Sequence, residues 1–343
     1  MHVESGISQG QQEARTRWGT HESGAEFDRK KRPFLTEEAR EFIAQQVMCV
    51  IVGPGPEQRP HALLLVGPPG FIEVPDEFTC LIPIDQCYET SSLVRGVCAA
   101  LTSGTHPRLA LCFLQHVTRQ RICVQGEVEI LPSHSPEVLW LRMRVSLAFF
   151  HCPRYIRTRV TGLHRDAENM PAVTAAPRLI GPQSERLSEA ACEFLTRQVL
   201  CYLCTVDQHG QYAVNHRGGA AGYLVTMAPD RLTPGGVVLL PDYAGNGAFE
   251  AIGNILETGK AALLVPGYAE EVALCIAGDA VVVEFGLLPA FLREKCRGAQ
   301  RVIALTVQHV EQQNGDWSDA LAYERARAKV IEEARRAAQS CQP

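Results

Sequence analysis

The feature that most constrains this chain is an internal repeat whose two copies are offset by 152 residues. The segment LTEEAREFIAQQVMC begins at Leu35, and the matching segment LSEAACEFLTRQVLC begins at Leu187. The same offset recurs downstream, where GPPGF from Gly67 matches GAAGY from Gly219. A repeat of this length predicts two similar domains in tandem rather than a solenoid of short units.

The composition is that of a soluble globular protein and favours neither a nucleic-acid nor a membrane partner. The chain has 343 residues, enough for two domains of ordinary size, and 46% of them are hydrophobic and 21% charged. The formal net charge of −5 provides no basic field for nucleic acid or an anionic membrane. No apolar run reaches the roughly 18–20 residues that span a bilayer, and the polar stretch from Met1 to Gly24 lacks the apolar core of a signal peptide. We therefore expect a cytoplasmic protein.

The chain has 13 cysteines, but their positions argue against a disulfide framework or a metal cluster. Most of them lie inside apolar, strand-like runs, where a cysteine acts as a small buried hydrophobe. Cys201 and Cys204 form a Cys-x-x-Cys pair, yet alternate residues of a strand share a face, so these two thiols are predicted to point in opposite directions. The cysteine usage is typical of a reducing compartment.

Turn and periodicity signals divide each copy into a helix, a hairpin, further strands, a short helix and a long strand pair. Thr36 and Ser188 each precede acidic residues, as at a helix start, and DQHG from Asp207 indicates a hairpin turn. Short strands without a helix after each one favour a barrel over a parallel doubly wound sheet. The predicted divisions are a polar, flexible N-terminal arm at 1–33, a first domain at 34–159, a linker at 160–186, a second domain at 187–310 and a helical tail at 311–343.

The tail is charged, rich in alanine and predicted to be helical from Ser318 to Gln339. Two interpretations stay open for it. An exposed helix would be supported by charge pairs four residues apart. A docked helix would contact the body through Trp317, Leu321 and Ile331.

Polar residues suited to an anion are concentrated in two segments of the second copy. The first, at 215–219, reads NHRGG, in which His216 and Arg217 can donate hydrogen bonds to phosphate oxygens and the glycines allow close approach of the backbone. The second, at 240–246, reads LPDYAGN and lies just before a predicted helix at 248–257, whose N-terminus would favour an anion. Together they predict a phosphate-bearing cofactor.

The first copy is an internal control for this prediction. At the positions that correspond to Asn215, His216 and Arg217, the first copy carries Leu63, Leu64 and Leu65. If the polar residues served only the hairpin, both copies would need them. We therefore predict one scaffold domain and one cofactor domain.

At this point the sequence resembles the flavin-binding split-barrel superfamily of pyridoxamine 5'-phosphate oxidase-like proteins, over roughly residues 35–310. The motifs that carry the resemblance are GPPGF from Gly67, FHCPRYIR from Phe150, CTVDQHGQ from Cys204, NHRGG from Asn215, LPDYAGN from Leu240 and NILETGKAALL from Asn254. The resemblance implies a mainly β (α+β) fold, with two tandem antiparallel split β-barrels, short flanking helices and FMN at the interface between the barrels. The Ser-Arg-Lys trio of true pyridoxamine phosphate oxidases is replaced by Ala244, Gly245 and Asn246.

The resemblance also implies roles for individual residues. Those expected to contact FMN are Asn215, His216, Arg217, Gly218, Leu240, Pro241, Asp242, Tyr243 and Asn246. Arg154, Tyr155 and Arg157, from the end of the first copy, are expected either to reach this flavin or only to cap their own barrel. His216 is the candidate for proton exchange, because the pKa of a free histidine lies near neutrality.

The expected function is that of an FMN-dependent oxidoreductase acting on a small molecule, with NAD(P)H as a candidate reductant and one flavin per chain. The tandem copies would form an intramolecular pseudo-dimer, or two chains would form a homodimer. One alternative is a binding protein for flavin or haem without turnover, with His151, His164 and His216 as conceivable haem ligands. Another is an interaction module in which both barrels are degenerate and the C-terminal helix is the contact surface.

Overall fold

The computed structural model describes residues 7–132, 138–163, 177–180 and 183–340. The strands of the N-terminal half are β1 (Met48–Pro54), β2 (Pro60–Val66), β3 (Glu73–Asp76), β4 (Thr79–Asp85), β5 (Arg108–Gln115), β6 (Gln120–Leu131) and β7 (Val138–Phe150). Those of the C-terminal half are β8 (Gln183–Ser184), β9 (Leu200–Val206), β10 (Tyr212–Gly218), β11 (Val225–Met227), β12 (Val237–Asp242), β13 (Lys260–Gly267), β14 (Val272–Glu284) and β15 (Arg301–Asn314).

The helices flank these strands, and three further segments form short 3₁₀ turns. The helices are α1 (Gln9–Trp18), α2 (His21–Asp28), α3 (Glu37–Ala44), α4 (Ser92–Thr102), α5 (Glu189–Arg197), α6 (Glu250–Thr258), α7 (Ala290–Lys295) and α8 (Ser318–Ser340). The 3₁₀ turns are Pro56–Gln58, Gln86–Tyr88 and Phe285–Leu287.

The two halves have the same antiparallel topology. The strand order of the first sheet is β2-β1-β5-β6-β7-β4-β3, and that of the second is β10-β9-β13-β14-β15-β12-β11, with β8 pairing to β15 at the side. The hairpin registers also correspond, because Met48 pairs with Val66 in the first half and Leu200 pairs with Gly218 in the second. The predicted architecture of two tandem antiparallel split barrels, mainly β, is confirmed.

A β-bulge explains the glycine that both copies share. The register shifts beside Gly126 in β6 and beside Gly278 in β14. A Cβ atom would lie 2.2 Å from the Arg144 carbonyl oxygen at Gly126, and 1.9 Å from the Thr306 carbonyl oxygen at Gly278. Glycine is therefore required at both positions, because the partner strand passes too close for any side chain.

The barrels pack face to face through a core that both halves share. Val50, Leu64, Tyr202 and Leu264 are among its buried side chains. The contacts are reciprocal, as in an isologous dimer interface. The Ala62 amide donates to Cys275 Sγ at 3.4 Å, and at the matching position Cys123 Sγ donates to the Val214 carbonyl oxygen at 3.2 Å.

Local sequence signals predicted the starts of these helices to within two residues. The side chains of Thr36 and Ser188 cap α3 and α5, as predicted, by accepting hydrogen bonds from Ala39 and Ala191. The predicted helix at 248–257 is present, although α6 begins two residues later, at Glu250.

The expectation of a flexible N-terminal arm is wrong for the described residues. Residues 9–28 form α1 and α2; α1 packs against α6 of the second barrel, and Phe27 of α2 contacts Phe149 of the first. Arg15 is 1% exposed, donates hydrogen bonds to the Ala248 carbonyl oxygen and forms an ion pair with Asp28 at 2.7 Å. Among the buried residues of these helices, Gln11 and Arg15 satisfy backbone and charged partners, whereas Ala14 and Phe27 join the apolar core.

The remaining expectations concern cysteines, the tail and the linker. Cys201 and Cys204 are buried on opposite faces of β9, in different core clusters, as alternation predicted.

Helix α8 docks through the buried side chains of Trp317 and Leu321, so it is not an exposed helix in its first half. Most of the predicted linker at 160–186 lies outside the described residues. In the ranges given above, no helix is long and apolar enough to cross a membrane.

Candidate functional site

The predicted polar segments of the second half meet in one pocket at the interface between the barrels. Strand β10 brings Asn215, His216, Arg217 and Gly218 to this pocket, because β10 ends the strand order of its sheet and packs against the first barrel. The end of β12 and the loop before α6 bring Pro241, Asp242, Tyr243 and Asn246 to the opposite wall. The pocket has a volume of about 100 Å³.

A buried ionic cluster forms one wall of the pocket. Asp242 is 4% exposed and pairs with Arg217 and, at 3.0 Å, with Arg301 across the β12–β15 ladder. The Arg301 guanidinium lies 4.4 Å from the ring centroid of Trp18 and 4.7 Å from that of Phe249, both aromatic partners for a cation. Two guanidinium groups thus share one carboxylate, which leaves the wall with an excess of positive charge.

Arg121, at the start of β6, extends this positive surface from the first barrel. Its side chain is 6% exposed, and its Nη1 donates to the His216 carbonyl oxygen at 3.1 Å. Arg154 lines the pocket as well, and Glu250 supplies a second carboxylate beside Asp242. Three arginines that face the pocket therefore outnumber its two carboxylates, which favours an anionic ligand.

Six buried polar atoms around the pocket share one property, which is that they have no hydrogen-bond partner among the described residues. They are Arg121 Nε, His151 Nε2, Asn215 Nδ2, His216 Nδ1, His216 Nε2 and Arg217 Nε. The large majority of buried side-chain polar atoms in proteins have a partner, and an unsatisfied one costs about 1–3 kcal/mol. Their convergence on a single pocket indicates a place for a polar ligand.

The end of the first copy contacts the loops of the second copy beside the pocket. Arg154 Nη1 donates to the Gly245 carbonyl oxygen at 3.1 Å, and the Tyr155 hydroxyl donates to that of Ala244 at 2.7 Å. Arg157 Nε donates to the Gly219 carbonyl oxygen at 2.8 Å. This segment, 154–157, therefore closes over the loop before α6 and does more than cap its own barrel.

Tyr155 adopts a left-handed backbone conformation, with φ 64°. A non-glycine residue in this region is strained and persists only where surrounding contacts hold it. Here the hydroxyl bond to Ala244 and the Tyr243 ring, whose centroid is 5.7 Å from that of Tyr155, hold the residue. Tyr155 and Tyr243 are thus positioned as a pair of aromatic side chains at the mouth of the pocket.

A wider cleft of about 730 Å³ adjoins the pocket and shares Tyr155, Gly218 and Tyr243 with it. Arg119, Arg157 and Arg159 line this cleft, and no carboxylate is present among the described residues of its lining. Typical small-molecule sites occupy about 300–1,000 Å³. The pocket alone is too small for a nucleotide, whereas the pocket and the cleft together are large enough.

Burial changes the chemistry expected of the histidines. It lowers the pKa of His216 well below its ordinary value, and the positive charges of Arg121, His116 and Arg217 lower that pKa further. Burial and the charge of Arg121 also lower the pKa of His151. His216 is therefore neutral near pH 7, and the argument for proton exchange from the pKa of a free histidine is wrong for the folded chain.

Several predicted site residues have other roles or other places than expected. Leu240 is 1% exposed, packs in the core of the second barrel and does not line the pocket. Gly218 serves packing between the barrels, because a Cβ atom there would lie 2.3 Å from the Tyr155 carbonyl oxygen. Arg157 lines the cleft rather than the pocket. Asn246 lines the pocket but lies in the loop before α6 and not in its first turn.

Sequence reasoning missed three groups that line the pocket: Phe27, Arg121 and Glu250. Phe27 comes from α2, in a segment without the apolar periodicity that marks a core helix. Arg121 lies at the start of a strand and matches Ala273 in the second copy. That difference between the copies was a usable signal, since a charged residue in an apolar strand is rare unless it has a partner. His164, a conceivable haem ligand, lies outside the described residues.

The symmetry-related position in the first half is closed. The side chain of Gln313 accepts from the Leu64 amide at 2.9 Å and donates to the Leu64 carbonyl oxygen at 2.5 Å. The Tyr88 hydroxyl donates to the same carbonyl oxygen at 3.4 Å. Gln313 lies opposite Ala273 in the second barrel, and His151 lies opposite Arg121 in the first. Because Ala273 and Arg121 are equivalent in the repeat, the satisfied Gln313 amide occupies the place where the candidate site has the unsatisfied His151 imidazole.

Comparison with known proteins identifies similar solved structures, but no protein-family model and no curated protein matches this sequence. A putative pyridoxamine 5'-phosphate oxidase from Lactobacillus delbrueckii is 22% identical, and the match covers 37% of this chain and 94% of that one with a TM-score of 0.29. HupZ from Group A Streptococcus is 13% identical over 36% of this chain and 90% of that one, with a TM-score of 0.27. An FAD binding protein from Mycobacterium smegmatis is 12% identical over 34% and 96%, with a TM-score of 0.25.

Each of these matches covers about a third of the chain, and the likeness concerns the fold. The two sheets of this chain share one strand order, and this order defines the architecture of each barrel. The chain therefore contains one antiparallel split-barrel fold twice in tandem.

Proposed function

We propose that this protein is an FMN-dependent oxidoreductase that uses one flavin per chain and acts on a small molecule. The observation that carries the proposal is the asymmetry between the candidate pocket and its symmetry-related position. In one of them, six buried polar atoms without a partner in the described ranges converge beside three arginines. In the other, Gln313 satisfies both backbone groups of Leu64.

The residues present fit a flavin mononucleotide in charge and in hydrogen-bonding capacity. Arg121, Arg154 and Arg217 would hold the phosphate, because guanidinium groups bind phosphate oxygens through two parallel hydrogen bonds. Asn215 and neutral His216 would donate to polar atoms of the flavin. Tyr155 and Tyr243 would lie beside its ring at the entrance of the cleft. When bound, the flavin would supply the redox chemistry, so the chain need only bind, orient and shield it.

The cleft suggests the chemical class of the substrate. Its lining contains Arg119, Arg157 and Arg159, which favour an anion, and it adjoins the two tyrosines. Arg159 also pairs with Glu332 of α8 at 3.4 Å, so the cationic character rests mainly on the other two arginines. A small anionic substrate, or the phosphates of NAD(P)H as reductant, would match this surface.

Titration of the purified full-length protein with FMN tests the proposal. We expect the two-band visible absorption of oxidised flavin, quenched flavin fluorescence and saturation at one FMN per chain. Arg217→Ala should weaken binding about 10- to 100-fold, the equivalent of a charge-assisted hydrogen bond of about 1.5–3 kcal/mol. Leu65→Ala, the matched change in the first copy, should lower stability without changing the stoichiometry. Equal flavin loss in both variants, or two flavins per chain, would contradict the proposal.

Reduction of the bound flavin distinguishes an enzyme from a carrier. Anaerobic addition of NADH or NADPH should bleach the flavin absorption if either nucleotide is the reductant. Arg119→Ala should slow this reduction more than it weakens FMN binding, because Arg119 lines the cleft and not the pocket proposed to hold the phosphate. Flavin that binds but is reduced by no nucleotide or anionic substrate would favour a storage or carrier role.

One observation favours a second candidate, which is a haem-binding protein. His151 and His216 both line the pocket, and burial keeps both imidazoles neutral, as iron ligation requires. The same absorption measurement decides between the two, since haem gives a Soret band and FMN does not. His151→Ala should abolish that band if this candidate is right.

A further inference from the structure

A second cluster of polar side chains lies at the interface, away from the pocket described above. His61 of β2 comes from the first half, and His309 and Glu311 of β15 come from the second. One ligand-type atom from each residue lies within 4.8 Å of the other two. Glu311 Oε2 is 3.6 Å from His309 Nε2 and 3.9 Å from His61 Nε2. We propose that His61, His309 and Glu311 form a site for a divalent transition metal, with Zn²⁺ as the best match.

The geometry supports a tetrahedral ion. Zinc binds imidazole nitrogen and carboxylate oxygen at about 2.0–2.2 Å, which places adjacent ligand atoms about 3.3–3.5 Å apart. The two nitrogen–oxygen distances need shorten by only a few tenths of an ångström to reach this value. Two histidines and one glutamate are a known zinc ligand set, and the fourth position would be left for water. His309 is partly exposed, which provides a path for entry.

His61 provides the strongest single argument. It is 1% exposed, and neither of its ring nitrogens has a hydrogen-bond partner within the part of the chain that is described. Burying an unsatisfied polar group costs about 1–3 kcal/mol, so a folded chain normally provides a partner. Its Nε2 faces the Glu311 carboxylate, and the His309 ring centroid is 4.8 Å away.

Glu311 is held in place by a neighbouring group, as metal ligands usually are. The Ser92 amide, at the start of α4, donates to both Glu311 oxygens at 3.3 and 3.1 Å. The Ser92 hydroxyl lies 3.3 Å from His309 Nε2 and would turn away from that nitrogen when the ion binds there. The helix N-terminus favours the ionised carboxylate, which is the form that binds metal. Arg95 donates to the Ser92 hydroxyl at 3.4 Å, and its positive charge opposes a cation.

A β-bulge turns both β15 ligands to the face that looks towards the first barrel. His309 pairs with Ala277, and the next pair along the ladder is Gly278 with Val307, so Gln308 is the extra residue. His309 and Glu311 then alternate along the strand and point to one side, towards the first barrel. Bulges commonly redirect side chains in this way at functional sites.

The repeat shows that the fold itself does not require this cluster. The positions that correspond to His61, His309 and Glu311 in the other half are Ala213, Leu147 and Phe149, by strand register and offset. Ala213 and Phe149 are buried there in an apolar environment. The same backbone positions therefore pack well with apolar side chains, and the polar set is specific to one side of the interface.

Zinc binding to the full-length chain tests the proposal. Protein treated with a chelator and dialysed should take up about one Zn²⁺ per chain from zinc chloride, measured by elemental mass spectrometry. The melting temperature should rise with zinc concentration, because the ion would join the two barrels in the native state only. Substitution with Co²⁺ should give the intense visible absorption of a tetrahedral ion.

Matched variants separate this site from other zinc-binding groups of the chain. His309→Ala and His61→Ala should each weaken zinc binding on the order of 100-fold, the upper range for loss of a supporting residue alone. His309 is the more tolerant position if His61→Ala fails to fold. His106→Ala and Cys87→Ser, at exposed positions, should leave binding unchanged, and Arg95→Gln should tighten it. No stoichiometric zinc, or unchanged affinity in His309→Ala, would overturn the proposal.

Discussion

The guanidinium group of Arg121 donates a hydrogen bond to the carbonyl oxygen of His216 across the interface of the two barrels, at 3.1 Å. Arg121 belongs to the first copy of the repeat and His216 to the second. A residue of the half without the polar motif thus fixes the strand that carries the motif. The candidate site is therefore a property of the tandem and not of the second barrel alone.

Replacing Arg121 should affect both stability and flavin binding. Arg121→Ala leaves the His216 carbonyl oxygen buried without its donor, which should cost about 1–3 kcal/mol in the free energy of unfolding. It also removes a positive charge from the pocket, so FMN affinity should fall about 10-fold or more. Urea unfolding and fluorescence titration measure the two effects. Arg108→Ala, which removes an exposed arginine of the same barrel, should change stability by no more than about 0.5 kcal/mol and affinity not at all.

The close approach of the segment 154–157 makes Gly218 sensitive to any side chain. In Gly218→Ala, the added methyl group would meet the Tyr155 carbonyl oxygen at 2.3 Å, so the segment must move away. We expect a loss of about 1–3 kcal/mol, as for overpacking, together with weaker FMN binding. Gly286→Ala provides the control, since its Cβ atom would have no neighbour within 4 Å among the described atoms. Equal thermal stability of the two variants would show that the segment does not dock as described.

Much of the fold followed from the sequence because the repeat and the local signals agree. Thr36 and Ser188 cap helices, and Gly126 and Gly278 occupy equivalent bulges, so each conclusion from one copy could be checked in the other. The matching of Leu63–Leu65 to the polar triplet of β10 also pointed to a strand that lines the pocket. These are short-range or register-determined features, which a sequence pattern records directly.

The other wall of the site was not predictable in the same way. Phe27 reaches the pocket through α2, and Arg301 is held between Trp18 and Phe249. These contacts join residues more than 50 positions apart in the chain, and no local periodicity encodes them. The protonation state of His216 was also misjudged, because its pKa depends on burial and on Arg121 and Arg217, which only the assembled interface brings together.

The neutral buried histidines predict that the protein loses stability on acidification. Burial lowers the pKa values of His151 and His216 well below about 6.5, the value expected in the unfolded chain. The unfolded state therefore binds protons more readily, so stability is complete above about pH 6.5 and falls as the pH decreases below it. Each histidine contributes a slope of at most about 1.4 kcal/mol per pH unit.

A matched substitution checks this origin of the pH dependence. His216→Leu places at this position the residue that the first copy carries as Leu64, and it should reduce the slope of stability against pH between about 6.5 and 5. His209→Gln, in the exposed hairpin turn, should leave the slope unchanged. Urea unfolding at several pH values gives both slopes. The same slope in His216→Leu as in the unaltered chain would place the proton uptake elsewhere.

The ion cluster at the end of β12 gives the largest expected effect on stability. Asp242→Asn removes the carboxylate shared by Arg217 and Arg301, and it leaves a guanidinium that is 3% exposed without its counter-charge. Breaking such a buried pair from one side costs about 3–5 kcal/mol. Asp85→Asn, at the exposed end of the corresponding strand β4, removes only a carboxylate that accepts from the Cys87 amide at 2.8 Å, so it should cost about 1 kcal/mol or less.

A double variant then separates the charge effect from a loss of packing. Arg217→Met added to Asp242→Asn removes one of the two uncompensated guanidinium groups, so it should recover part of the lost stability and not add to the loss. Flavin affinity should stay low in the double variant, because Arg217 would no longer be available to the phosphate. Additive losses of stability would show that Arg217 and Asp242 do not interact in the folded chain.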